Sequence, residues 1–238
     1  MCDHCGCGHP DGPVAEGDGT GQTISIQQDV LAHDRAYAAQ VRARLAELDA
    51  RMVNFVGGPG CGKTELLAKL IARWGERLDC VVVEGDLATD NDAERIRAAG
   101  APVHQIQTGT VCHLTAHDVG HALTHLPLER RTAVLVENVG NLVCPSMFDL
   151  GESLRIVCLS VTEGADKPQK YPVAFREASL VVLTKMDLLP HVDFDVEACI
   201  GFIHDLKPDL PCLVTSAWDG TGLDQLGDTI ARLWDEPA

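Results

Sequence analysis

Residues 57–64 read Gly57-Gly58-Pro59-Gly60-Cys61-Gly62-Lys63-Thr64. The spacing is G-x-x-x-x-G-K-[ST], with Gly57, Gly62, Lys63 and Thr64 in the four fixed places of a loop that cradles phosphate. The flanks agree with it. The apolar run Met52-Val53-Asn54-Phe55-Val56 reads as a buried strand, and Glu65-Leu66-Leu67-Ala68-Lys69-Leu70-Ile71-Ala72 reads as the helix that follows. A tight turn from strand to helix aims backbone N–H groups and the positive helix end at an anion. Glycine is needed there because φ is positive or because the backbone must approach phosphate closely. Gly57, Gly60, Cys61, Gly62, Lys63, Thr64 and Glu65 therefore form the expected phosphate cradle. Lys63 meets the outer phosphates and Thr64 holds Mg²⁺.

Outward from this loop, strands and helices alternate. Expected strands are 52–57, 80–84, 102–106, 132–137, 155–161, 179–184 and 211–215; expected helices are 64–77, 91–99, 112–126, 169–177, 195–206 and 222–234. Runs such as Cys80-Val81-Val82-Val83 and Leu180-Val181-Val182-Leu183 are continuously apolar, as in strands covered on both faces of a mostly parallel sheet. The alternation predicts a three-layer α/β P-loop NTPase domain over 51–238. Ahead of it, Ser25 is a candidate N-cap, and Ile26, Val30, Tyr37, Val41, Leu45 and Leu48 recur at helical spacing. Residues 24–50 thus read as a helix packed on the core. Residues 1–23, rich in Gly, Pro and Asp, read as a flexible metal-binding tail. A tether of about 14 such residues spans roughly 20 Å.

The chain has 238 residues and a net charge of −16. That charge argues against a nucleic-acid partner, whose phosphates need cations. No apolar run is long enough to span a membrane. The opening residues have neither a basic start nor an apolar core, which points to the cytoplasm. Ten cysteines in such a compartment read as thiols, and ten histidines beside them invite a search for metal ligands.

Polar residues follow the strands where such folds bind ligands. Glu137-Asn138-Val139-Gly140 ends one strand, at the place where a carboxylate senses Mg²⁺ and the last phosphate. Glu84-Gly85-Asp86 ends another, and Asp86 is a candidate to bind Mg²⁺ or to orient the attacking water. Lys63, Asp86 and Glu137 are the candidate catalytic residues. Thr184-Lys185-Met186-Asp187 ends a third strand. A carboxylate at Asp187 accepts from N1–H and the 2-amino group of guanine, which adenine does not offer. The Lys185 stem covers the base, and Ser216 and Ala217, in Thr215-Ser216-Ala217, stand where backbone N–H groups meet the guanine oxygen. Together these select GTP and GDP. Catalysis would be attack of water on the γ-phosphate by positioning and charge stabilisation. No arginine finger is locatable, so slow intrinsic turnover is expected.

Two cysteine groups carry metal chemistry. In Cys2-Asp3-His4-Cys5-Gly6-Cys7-Gly8-His9, three thiols reach one ion. Soft thiolates suit Ni, Zn or Cu(I). Removal of Met1 would add an amine as a fourth donor, in a square-planar set that favours Ni(II); His4 and His9 are alternatives. Cys112-His113 and Cys144 lie on two loops at carboxyl ends of strands and form a second candidate site with an open position. By spacing alone, Cys112 and Cys144 equally fit buried small residues. Cys112 is expected to start a helix on which His113, His117, His121 and His125 form one stripe, either an extra low-affinity metal face or, the better reading, a solvated polar face. Cys80, Cys158, Cys199 and Cys212 read as core.

Together these residues resemble the HypB-type GTPases that help insert nickel into [NiFe]-hydrogenase. The carriers are the C-x-x-C-x-C-G front end, GGPGCGKT, EGDLATDNDAERI at 84–96, CHL at 112–114, ENVGNLVCP at 137–145, VTEGADKPQKYP at 161–172 and TKMDLL at 184–189. The resemblance implies a GTP- and metal-dependent homodimer. It implies nickel bound at Cys2, Cys5 and Cys7, and a second Ni²⁺/Zn²⁺ site from Cys112, His113 and Cys144 near the dimer face. It also implies a partner nickel-maturation protein and delivery to the hydrogenase large subunit. Thr184 stands where Asn is common and Thr115 where Asp is common, and a long His-rich storage run is lacking. The reading is a GTP-hydrolysing nickel metallochaperone. Its rivals are a metal-binding or storage protein with a structural nucleotide, and a urease accessory GTPase.

Overall fold

The computed structural model describes residues 21–235 apart from 76 and 87–90, with side chains from residue 34 onward except Asp86. Cys2, Cys5, Cys7, His4 and His9 lie outside the described residues, as does the Asp86 side chain.

Seven strands form one all-parallel sheet in the order β3-β2-β4-β1-β5-β6-β7. They are β1 (Arg51–Gly57), β2 (Cys80–Asp86), β3 (Val103–Gln107), β4 (Ala133–Glu137), β5 (Leu154–Ser160), β6 (Leu180–Thr184) and β7 (Cys212–Val214). Each lies within a residue or two of its expected place. The helices are α1 (Gly21–Glu47), α2 (Lys63–Trp74), α3 (Asn91–Ala99), α4 (Ala116–Ala122), α5 (Cys144–Met147), α6 (Lys167–Lys170), α7 (Pro172–Glu177), α8 (Val196–Leu206) and α9 (Leu223–Ala231).

Period-two alternation splits the strand residues between two covers. Val53, Phe55, Val82, Leu135 and Ile156 face α2, α3 and α9, with Leu66, Leu70, Ile96, Leu226 and Ile230. Met52, Val81, Val83, Val134 and Val136 face α1 and α4, through Val41, Leu45, Val119 and Leu123. Val157, Leu159, Val181 and Leu183 meet Phe175 of α7 and Ile203 of α8. This gives the three layers expected. Helix α9 can lie close on α2 because residue 227 has no side chain: a Cβ there would overlap the ring of buried Trp74. Gly227→Ala is expected to destabilise the fold by about 1–3 kcal/mol through overpacking, even though alanine favours helix by about 1 kcal/mol. Urea denaturation checks this by a lower midpoint at unchanged slope.

Several boundaries correct the sequence reading. Helix α1 is already helical at Gly21, the first described residue, so Ser25 lies inside it and is not its N-cap. Between Gly21 and Ser25 nothing breaks a helix. The helix expected over 112–126 is α4 alone. Thr115 caps it in a reciprocal box: its hydroxyl accepts from Asp118 N–H, and the Asp118 carboxylate accepts from Thr115 N–H. Cys112 and His113 therefore sit in the loop ahead of the cap. At the far end, Thr124 and His125 donate three residues back, to His121 and Ala122, which closes the helix ahead of Pro127. The four-histidine stripe does not form, because only His117 and His121 are helical. The helix expected over 169–177 is split at Pro172, which disfavours helical backbone in the residue before it; Tyr171 has φ −125° and ψ 53°.

Candidate nucleotide and metal site

The phosphate loop leaves the central strand β1 and opens α2. Gly60 and Gly62 hold φ of +73° and +94°, and a Cβ at Gly62 would crowd the Lys185 stem at 3.4 Å. Both glycines are thus required by their backbone conformation, and Gly62 alone also lies against a neighbouring side chain. The Lys63 ammonium folds back on the loop, donating to Gly57 C=O at 3.3 Å. Thr64 Oγ1 donates to Glu137 Oε1 at 2.7 Å. Glu137 ends β4 and lies directly across from Glu84 of β2, and both carboxylates are buried. Buried carboxylates are held by pairing or by metal coordination. A hydroxyl beside two carboxylates is a hard oxygen set of the kind that suits Mg²⁺.

A cleft of about 520 Å³ runs over this group, lined by Lys63, Thr64, Glu84, Glu137, Asp92 and Arg95 among others. Sequence reasoning passed over Glu84 and Arg95. Glu84 shares a strand face with Asp86 at i, i+2, a signal that was available. Arg95 of α3 stands across the cleft and lies 3.9 Å from Asp92. Nothing in a helix read by itself says that it faces phosphate.

The second pocket, about 530 Å³, is lined by Lys185, Asp187, Leu188, Ala217, Trp218 and Glu65 among others. Lys185 holds a left-handed backbone, φ 59°, and donates to Gly60 C=O at 2.7 Å. The Thr184 hydroxyl donates to Cys61 C=O at 2.6 Å. The threonine at this place thus ties the strand end to the phosphate loop. Ser216 acts through its side chain: its hydroxyl donates to Asp187 Oδ1 at 2.7 Å, while its N–H donates to Thr221 C=O. Trp218, missed from sequence, is 87% exposed at the pocket rim.

Cys112, His113 and Cys144 come together. Their ligand atoms all lie within 4.8 Å of one another, and Cys112 Sγ is 3.8 Å from His113 Nδ1. Ligands on one tetrahedral ion at about 2.0–2.3 Å sit roughly 3.3–3.8 Å apart, so small side-chain adjustments complete the set. His113 stacks on Phe148, centroids 3.9 Å apart. Burial lowers its pKa, against the pull of Asp34 and Asp118, which keeps a lone pair for metal. The neighbouring Cys112 thiol, and then burial, raise the pKa of Cys144. By contrast, burial raises Cys80 and Cys212 to about 11 and Cys199 to about 12; Cys158 is fully buried and also raised. Cys158 and Cys199 belong to the core, as expected, while Cys80 and Cys212 are half-buried and pack against it.

One loop connects the two halves of the site. Asn138 follows Glu137, and its side-chain carbonyl accepts from Leu114 N–H at 3.2 Å and Val139 N–H at 3.0 Å. Leu114 directly follows the Cys112-His113 pair. Gly140 lies against Pro59 of the phosphate loop, where a Cβ would approach the Pro59 backbone to 3.0 Å. Asn141 bridges Gly57, and the loop ends at Cys144. Residues 137–144 therefore touch the phosphate loop on one side and the thiol–imidazole set on the other.

A phosphate loop after a central parallel strand, with a pocket beside it and a metal-ligand set on adjoining loops, defines a P-loop nucleotide-binding protein equipped to hold a transition metal. A family model for the CobW/HypB/UreG nucleotide-binding domain matches residues 51–214. The hydrogenase maturation factor HypB of Azotobacter vinelandii is 50% identical over 202 residues, covering 85% of this chain and 67% of that protein. Its Escherichia coli K12 counterpart is 45% identical over 214 residues, 90% and 74% of the two chains. The crystal structure of Helicobacter pylori HypB in complex with nickel superposes with TM-score 0.81 at 37% identity, over 85% of this chain and 95% of that one. The chain belongs to the CobW/HypB/UreG family, within its HypB group.

Proposed function

We propose that this chain hydrolyses GTP in order to time the hand-over of nickel during [NiFe]-hydrogenase maturation. The observation that carries the reading is the 137–144 loop, with Glu137 on Thr64 at one end and Cys144 beside Cys112 and His113 at the other. Lys63 and the N–H groups of residues 60–65 hold the phosphates. Thr64 and Glu137, with Glu84 across from Glu137, are residues that would hold Mg²⁺, and Asp86 is a further candidate from its place in the sequence. When bound, Mg²⁺ neutralises charge on the outer phosphates. The residues of the cleft orient a water for in-line attack on the γ-phosphate, and turnover is slow. Nickel is the cargo; Cys2, Cys5 and Cys7 take it at the tail, and Cys112, His113 and Cys144 take Ni²⁺ or Zn²⁺ in the domain.

Asp187, oriented by Ser216, selects guanine. Asp187→Ala is expected to weaken GTP binding by about 10–100-fold, the scale of hydrogen bonds to a charged group, with little change for ATP; competition against a fluorescent GDP analogue measures it. Exposed Val111, Val143 and Met147 flank the thiols. Apolar side chains around an open coordination position support a homodimer that closes over the metal. The partners are a nickel-maturation protein and the hydrogenase large subunit, in the cytoplasm.

The test is complementation. In cells lacking their own factor, the chain is expected to restore nickel-dependent hydrogenase activity, and the Lys63→Ala chain is not. Restoration by Lys63→Ala would favour a metal store with a structural nucleotide. A second reading rests on the H. pylori relative, 39% identical over 205 residues and named a hydrogenase/urease maturation factor. Rescue of urease without hydrogenase would favour it.

A further inference from the structure

Three imidazoles gather away from the thiols, where edge strand β3 meets the end of α4. His104 stands on β3, His121 on α4, and His125 just beyond the helix. The His104 and His125 ring centroids are 4.9 Å apart with planes 9° from parallel. The His121 and His125 centroids are also 4.9 Å apart, at 66°. An imidazole nitrogen bonds a borderline divalent ion at about 2.0–2.1 Å with the ion in the ring plane. Two rings sharing one ion at cis or tetrahedral angles then have centroids roughly 4.5–5.2 Å apart. Both separations fall in that range.

We propose that His104, His121 and His125 form a thiol-free site for a divalent transition metal ion such as Ni²⁺, Zn²⁺ or Cu²⁺, held by three imidazole nitrogens. An all-imidazole set suits these ions and not Mg²⁺. The backbone sets the distances and the rotamers close the site. Among the described residues, only Cys112, His113 and Cys144 already have their ligand atoms within 4.8 Å of one another. The parallel His104 and His125 rings must turn about Cβ–Cγ to share an ion. That torsion is broad, and His125 and His121 are exposed and unconstrained by the core. Burial, and then the neighbouring His125 and His121, lower the pKa of His104. A site that closes on its ion and lacks thiolate binds more weakly than the cysteine site and exchanges its ion more readily.

The test uses the full chain with Cys2, Cys5, Cys7, Cys112 and Cys144 replaced by alanine. Titrated with Ni²⁺, it is expected to bind one equivalent, with an absorption spectrum showing nitrogen and oxygen scatterers, an imidazole pattern and no sulfur. Adding His104→Ala, His121→Ala and His125→Ala is expected to weaken that equivalent at least tenfold. Adding His117→Ala and His191→Ala instead leaves it unchanged. His121→Ala with His125→Ala, both on the surface, repeats the test without touching the strand, and a thermal melt reports folding for each variant. No nickel binding in the thiol-free chain would overturn the proposal, as would equal binding with and without the three histidines.

Discussion

Replacing Lys63 by alanine is expected to slow GTP turnover by about 10²–10³-fold, the usual loss when one preorganised donor to a developing charge is removed. Phosphoryl transfer is positioning and electrostatics with little covalent work for the protein, so the cation nearest the outer phosphates carries much of the stabilisation. Lys63 is 6% exposed and anchored on Gly57 C=O. It lines the cleft, where charge acts more strongly than in water. Lys63 opens α2, where alanine is a good helix former, so the fold is expected to survive the change. Single-turnover phosphate release beside a circular dichroism melt measures both effects. Unchanged turnover in a folded Lys63→Ala chain would remove the phosphate loop from the chemistry.

Cys144→Ala is expected to weaken nickel or zinc binding in the domain at least about a hundredfold. Loss of a partner that only orients a ligand costs about 10–100-fold, and here a ligand itself is lost. The set has three protein donors, and Cys144 is the one contributed by the 137–144 loop. Without it, Cys112 and His113 remain as neighbours in sequence with no donor opposite them. The measurement is chelator competition in a background with Cys2, Cys5 and Cys7 replaced by alanine. Cys212→Ala serves as the control. Its thiol is pushed up to about 11 by burial, and its removal is expected to leave metal affinity unchanged.

The fold was legible in the sequence because parallel strands are buried on both faces. Val81 to Val83 and Leu180 to Leu183 are apolar at every position, and such runs announce themselves without any partner. The phosphate loop was legible because its backbone needs glycine at fixed places. What failed was the segment after β3. The residues from Cys112 to His125 carry enough apolar periodicity to look helical throughout. The start signal was also present: Thr115 with Asp118 three residues on is a capping box, which begins the helix after His113. Reading it would have put Cys112 and His113 in a loop, where two ligands turn toward Cys144 more freely than from a helix.

Other parts of the site depend on distant packing. Arg95 faces the phosphate cleft only because α3 lies beside α2, and His104 meets His125 only because β3 is the edge on which α4 ends. Thr184 is a different lesson. Judged by the asparagine that the resemblance leads one to expect there, it counts as a departure. Its hydroxyl instead fastens β6 to the Cys61 carbonyl, so the strand end keeps its hold on the phosphate loop. The four-residue α5 has too few residues for periodicity to be read at all.

The central claim is that nucleotide and metal speak to each other through residues 137–144. Asn138 holds Leu114 N–H on one side and follows Glu137 on the other, so an ordered γ-phosphate would fix one end of a segment whose other end is a metal ligand. The direct measurement is nickel affinity of the Cys2/Cys5/Cys7→Ala chain, taken once with GDP and once with a slowly hydrolysed GTP analogue. A coupling of about 1 kcal/mol or more, at least fivefold in affinity, is expected. By linkage, nickel must change the affinity for the GTP analogue relative to GDP by the same factor. Equal nickel affinities in the two nucleotide states would contradict the account.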